Sequence, residues 1–186
     1  MGHGGNVIAE LTTDHREVDE LFEKIEVLPV GDKRRRKLVD ELTIELVRHS
    51  VAEEMHLYPA VRKHVDGGDW IADKEIADHA EAEQHLKGLE GLAPDDPRFD
   101  HLVAKLRLEV SEHIRDEEER LFPLLVAACT PEALNELGDK VRTAKRTAPT
   151  RPHPAAPDTP PGNRLVGPGV GLVDRARDLL TGRGKS

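Results

Sequence analysis

Cysteine is nearly missing from this sequence of 186 residues. The single Cys129 excludes an intrachain disulfide framework and any thiolate-built zinc or iron–sulfur site. Aromatic residues make up only 3%, so the core must be aliphatic, which suits helices better than a β-sandwich. Positive charge is in deficit: Lys+Arg number 27 against Asp+Glu 36, a net of −9, which argues against a nucleic-acid binder held by phosphate contacts. Long apolar runs are absent, and residues 1–15 lack an apolar signal-type stretch. Neither a membrane span nor a signal peptide is therefore expected, and the expected compartment is the cytoplasm. Apolar residues at 37% together with 15 Gly give the usual share for a globular domain. What the chain has in excess is histidine, with ten.

Four long stretches carry apolar residues at helical spacing, and none shows sustained period-two alternation. The spacing predicts helices over about 6–28, 32–65, 69–91 and 96–129. Asn6 serves as one N-cap, and Asp96-Pro97 supplies a cap followed by proline at the first helical position. Short connections favour antiparallel neighbours, so the expected fold is all-α, an up-down-up-down four-helix bundle over 1–129. Thr130-Pro131 repeats the cap-and-proline signal and starts a shorter fifth helix over 130–148. Residues 149–168 hold seven of the thirteen prolines, so 149–186 is expected to be a mostly disordered tail. The last residues, from Gly171 onward, are compatible with a short amphipathic helix. Residues 141–186 contain nine Lys/Arg and three Asp/Glu, a net of +6 that leaves −15 for residues 1–140. A solvated tail is the bland reading, and docking to a protein partner is the alternative.

An internal repeat locates the chemistry. The run from His49 through Glu53, Glu54 and Tyr58 to Pro59 matches the run from His113 through Glu117, Glu118 and Phe122 to Pro123, at an offset of 64 residues. The same offset carries Asp14-His15 onto Asp78-His79. The chain thus reads as a duplicated helix pair related by a pseudo-twofold. On helical spacing, His15 falls among Ile8, Leu11, Val18, Phe22 and Ile25, while His49 and Glu53 follow Leu38, Leu42 and Leu46. His79 and Glu83 fall with Ala72, Ile76 and Leu86, and His113 and Glu117 with Leu102, Leu106, Val110, Leu121 and Leu124. Every apolar seam is therefore interrupted by histidine, and no Lys or Arg lies on a seam to neutralise the glutamates. A buried unpaired carboxylate costs several kcal/mol. A cation among the converging imidazoles and carboxylates removes that cost.

The order of His15, His49 with Glu53, His79, and His113 with Glu117, each carboxylate pair trailed by Tyr-Pro or Phe-Pro, resembles the hemerythrin-like HHE cation-binding family. The resemblance covers about residues 6–129. It implies a bundle around two non-haem iron ions joined by an oxo or hydroxo bridge. His15, His49, His79 and His113 would be terminal ligands, and Glu53 and Glu117 the bridging carboxylates. It further implies binding, sensing or turnover of dioxygen, hydrogen peroxide or nitric oxide in oxygen handling or stress response, with peroxide- or nitric-oxide-consuming activity left open. Iron storage, delivery or sensing without turnover is the alternative.

The sequence departs from the oxygen carriers of that family. Their third helix has two histidines four apart, where this chain has His79 and Glu83, and their last carboxylate lies five residues after its histidine rather than four. Asp19, Glu83 and His56 remain further candidates for the iron shell. A ferritin-like Glu-x-x-His pair fails because Glu53–His56 is matched in the repeat by Glu117–Arg120. Zinc is not excluded by the ligand types. His85, His64, His101 and His3 are expected to be solvated, and Val18, Leu46, Leu106 and Val110 to line the ligand pocket. Pro59 and Pro123 are expected to kink or restart their helices. The expected assembly is a monomer or weak dimer.

Overall fold

The computed structural model describes residues 4–156, 159, 162–181 and 183. His3 lies outside the described residues. Among them the chain is all-helical: α1 (Val7–Glu26), α2 (Lys33–Ala52), α3 (Tyr58–His64), α4 (Gly68–Leu89), α5 (Pro97–Asp116), α6 (Phe122–Ala128), α7 (Pro131–Thr147) and α8 (Gly162–Thr181). Asn6, Asp32, Asp96 and Thr130 cap α1, α2, α5 and α7, each accepting a backbone N–H from the first turn. Helix α1 packs against α2, and α4 against α5, more closely than the two pairs pack on each other.

The second and fourth long helices are continuous in direction but not in winding. A π turn at Glu53–Leu57 joins α2 to α3, and another at Glu117–Leu121 joins α5 to α6. In them the Tyr58 N–H bonds to the Glu53 carbonyl and the Phe122 N–H to the Glu117 carbonyl. Pro59 and Pro123 follow directly, so the expected helix restarts take the form of a wide turn that accommodates the missing N–H. The extra residue also shifts the register. Leu124, expected on the buried seam, is 42% exposed, and Leu125 takes its place in the core. On α4 the buried face carries Glu75 where the spacing had Ile76, which is only partly buried.

Two apolar clusters stack along the bundle. One joins Val18, Phe22, Ile25, Leu42, Leu86, Leu89, Phe99 and Leu106. The other joins Val7, Leu11, Leu57, Tyr58, Phe122 and Leu125 with Leu134, Leu137 and Val141 of α7. Helix α7 lies over α1, α2 and the first π turn. Gly138 permits this approach, because a Cβ there would meet Gly5 O and Val7 N at 2.9 Å.

Among the described residues of 149–186 are an extended strap and the helix α8. Residues 149–156 form a strap along the bundle, read by the inward face of α8. Asp174 accepts the N–H groups of Thr150 and Arg151, both at 3.2 Å, and contacts His153 Nε2 at 2.9 Å. Asp178 accepts the Thr150 hydroxyl at 2.6 Å and the Arg151 guanidinium at 2.7 Å. His153 in turn donates its backbone N–H to Glu83 on α4 at 2.7 Å. Prolines leave few backbone donors, and Asp174 of α8 takes those of Thr150 and Arg151 while Glu83 takes that of His153. At Gly171, α8 lies against the Thr147 and Ala148 carbonyls, where a side chain would not fit.

Candidate metal centre

Between the two apolar clusters lies a buried polar layer. His15 comes from α1, His49 from α2, His79 from α4 and His113 from α5, and each is at most 7% exposed. Glu53 and Glu117, the first residues of the π turns, are fully buried. All six sequence-selected residues are brought together. Glu53 Oε2 lies 3.1 Å from His49 Nε2 and 3.3 Å from His79 Nε2. Glu117 Oε2 lies 3.3 Å from His15 Nε2 and 3.7 Å from His113 Nε2. Each carboxylate therefore spans one imidazole from each half of the repeat. Within a half the imidazoles also adjoin: His15 and His49 have ring centroids 5.0 Å apart, and His79 and His113 4.7 Å. Among the described residues, the six fall into two groups of potential ligand atoms that share Glu53, one with His15, His49 and Glu117, the other with His79 and His113; His113 also groups with Glu75 and Asp78, and His85 with Glu81 and Glu109.

The outward ring nitrogens face a second ring of carboxylates. His15 Nδ1 meets Glu118 Oε1 at 2.8 Å, and its repeat partner His79 meets Glu54 at 3.0 Å. His49 Nδ1 lies 3.3 Å from Asp14 Oδ2. His113 Nδ1 lies 2.9 Å from Glu75 Oε2 and 3.7 Å from Asp78, the repeat counterpart of Asp14. Such partners orient an imidazole and make its other nitrogen a better donor to a cation. Seam spacing alone did not reveal them, since Glu54, Glu118, Asp14 and Asp78 fall off the apolar stripes. The signal was present in the repeat, where Glu54 matches Glu118 and Asp14 matches Asp78. Glu75 has no such signal, because its counterpart is Leu11.

The electrostatics follow from this crowding. Burial pushes the imidazoles toward neutrality, but the facing carboxylates outweigh it. His79 is held up at about 10, beside Glu53 and Glu54. His49 and His113 are held at about 9, with Glu53 and Glu117 the leading partners, and His15 is raised by Glu117 and Glu118. Burial likewise disfavours charge on Glu53, yet His49 and His79 hold it well below the usual carboxylate range. A cation at this place competes with those protons. Glu53 Oε1 is buried with no hydrogen-bond partner among the described residues, and His15 Nε2 and Glu117 Oε2 have only each other and the neighbouring imidazole as close polar contacts. An orphaned carboxylate oxygen among inward-facing imidazoles in one buried layer fits a metal ion, and the donor set of nitrogen and oxygen fits a first-row transition metal.

The halves differ at one aromatic. Tyr58 Oη lies 3.1 Å from Glu117 Oε1, 3.1 Å from His79 Nε2 and 3.4 Å from Glu53 Oε2. Phe122, its counterpart, stacks on His15 with centroids 5.8 Å apart and offers no hydroxyl. Burial, then the surrounding glutamates, raise the Tyr58 hydroxyl well above its ordinary pKa, so it keeps its proton.

The other candidates lie elsewhere. Asp19 pairs with Arg16 at 3.7 Å, and Glu83 holds the strap. His85 meets Glu109 at 3.1 Å, while His64 and His101 are exposed. His56, half-buried in the first π turn, is in none of the metal-competent groups among the described residues. A cavity of about 120 Å³ adjoins the histidine layer. Val18, Leu46 and Val110 line it as expected, but Leu106 does not. It lies in the neighbouring apolar cluster, one helical turn before Val110 on α5.

Fold and site together define a four-helix bundle with a buried histidine–carboxylate centre able to hold cations. The sequence model of the family described as hemerythrin HHE cation-binding domain matches residues 6–125, and the chain belongs to that family. A hemerythrin-like protein of Schizosaccharomyces pombe, itself uncharacterized, is 26% identical over 168 residues, 90% of this chain and 82% of the relative. A protein of Nostoc sp. named DNA nickase is 27% identical over 142 residues, 75% of this chain but only 39% of that protein. The crystal structure of a hemerythrin HHE cation-binding domain-containing protein from Mycobacterium kansasii superposes with a TM-score of 0.66 at 25% identity. It covers 76% of this chain and 85% of its own. Among the described residues no helix is long and apolar enough to cross a membrane.

Proposed function

We propose that this chain holds a pair of iron ions and uses them to bind or turn over a small oxidant: dioxygen, hydrogen peroxide or nitric oxide. The observation that carries the reading is the spanning of the two halves by Glu53 and Glu117, each between an imidazole of one half and an imidazole of the other. In this reading His15 and His49 would hold one ion and His79 and His113 the other, with Glu53 and Glu117 as the carboxylates available to both. Bound iron would supply redox change and an open coordination position for the oxidant.

The chain's own groups do the rest. Glu118, Asp14, Glu54 and Glu75 hold the imidazole rings with their Nε2 atoms inward. Tyr58 holds a proton on Oη beside Glu117 and His79, a hydrogen-bond donor at the centre of the layer. Val18, Leu46 and Val110 keep the approach apolar and limit water.

Metal analysis with optical spectroscopy on protein produced with iron tests this. About two irons per chain, with ultraviolet-edge charge-transfer bands that bleach and recover as added peroxide disappears, is the expected result. Zinc alone, or no metal, sinks the redox reading. Ready loss of iron to a weak chelator without peroxide turnover favours delivery instead.

A further inference from the structure

The cavity beside the histidine layer is larger than a diatomic gas or hydrogen peroxide requires. Its volume of about 120 Å³ corresponds to about four waters at liquid density. Its walls come from every helix of the bundle: Val18 of α1, Leu46 and Val47 of α2, Leu86 of α4, and Val110 and Ile114 of α5. The acidic groups that also reach it are committed elsewhere. Glu54 is held by His79, Asp78 by Lys74 at 2.8 Å, Glu83 by the His153 N–H, and Glu109 by His85. Pro149, Pro154 and Ala156 of the strap close one side and add no backbone donor from the prolines. Ser50, Arg151, His153 and the four imidazoles also reach the cavity, but its surface is mainly apolar, and engineered apolar cavities of similar size take up small organic molecules.

We propose that this cavity is a binding site for a short branched alkyl group bearing one hydroxyl or hydroperoxyl. The alkyl body fills the space among Val18, Leu46, Leu86, Val110 and Ile114, and the oxygen end points to the imidazole layer. Placing the oxygen end there rests on the metal-centre reading above, whereas binding of the alkyl body does not.

The test uses the full chain, both iron-loaded and stripped of metal, with tert-butanol as an inert probe and glycerol as a polar control of similar size. Binding is read by ligand-observed NMR. The expected result is saturable 1:1 binding of tert-butanol and none of glycerol. Val110→Phe fills the cavity from α5, and Leu46→Phe fills it from α2. Either substitution is expected to weaken tert-butanol at least tenfold. The two helices give independent variants should one fail to fold. Absence of saturable binding in both forms of the unmodified chain overturns the proposal, and so does binding that survives a folded filling variant. A chain that takes no iron yet binds tert-butanol supports the cavity and sinks the di-iron reading. One that holds iron and ignores tert-butanol does the reverse.

Discussion

The two halves of the repeat build the same inner layer and support it differently. Each offers a histidine from its first helix, a His-x-x-x-Glu from its second, a π turn and a proline. Outside that layer several carboxylates still match, but the cations that neutralise them do not. In the second half Lys74 of α4 neutralises Asp78 and Asp116 from within the pair. In the first half the position equivalent to Lys74 is Glu10, a buried acid, so the neutralising cation has to come from outside the repeat. Lys145 of α7 supplies it, paired with Glu10 at 2.9 Å and with Asp14. A duplicated core tolerates little change because six side chains must meet. Its outer carboxylates need only a partner, wherever in the chain it originates.

The largest effect sharpening this comparison lies in the layer itself. His113→Ala is expected to lower bound iron from about two per chain toward one or none, and His49→Ala, its repeat equivalent, to do the same. His85→Ala should leave metal unchanged. Equal loss in His85→Ala, read by metal analysis, would show the ligand set to be wrong, and unequal loss in the equivalent pair would break the twofold.

Next comes the borrowed cation. Lys145→Ala removes the nearest cation from buried Glu10 and Asp14, leaving them Arg142 and His49, and should cost about 2–3 kcal/mol in urea unfolding. Lys74, about a third exposed, should cost only about 1 kcal/mol on the same change. Similar values for both would mean that α7 is incidental to the first half.

Tyr58→Phe makes the two halves alike. Losing a hydroxyl that serves Glu117 and Glu53 should cost about 1.5 kcal/mol with metal stoichiometry retained. Phe122→Tyr is not expected to restore it, because the two aromatics meet different imidazoles.

The smallest effect concerns the helix caps. Asp32 and Asp96, also 64 residues apart, are held at about 2 by the Arg34 and Arg98 side chains and then by the backbone N–H groups of the same residues. Their folded pKa is depressed, so the stabilisation they give is present above the ordinary carboxylate value and is lost as pH falls through about 2. Asp32→Ala and Asp96→Ala should therefore lower the melting temperature slightly and equally at neutral pH, with the gap closing toward pH 2.

Much of this was readable beforehand. The starts of α1, α5 and α7 followed from Asn6, Asp96 and Thr130, whose capping chemistry is local. The six inner residues were legible because duplication repeats them at one offset on apolar seams. Glu75 was not, since a carboxylate next to Ile76 is indistinguishable from a solvated one until α5 brings His113 against it. Leu124 was misplaced because a π turn leaves no mark in apolar spacing that continues past it.

Sequence alone thus determined the bundle, its duplication and the gathering of histidines with glutamates, all consequences of periodicity and short-range caps. Tertiary structure decided which carboxylate faces which ring nitrogen, where Lys145 is spent, and how the proline-rich strap closes the cavity. Those depend on contacts between segments as far apart as Glu10 and Lys145, and no local propensity encodes a partner 135 residues away.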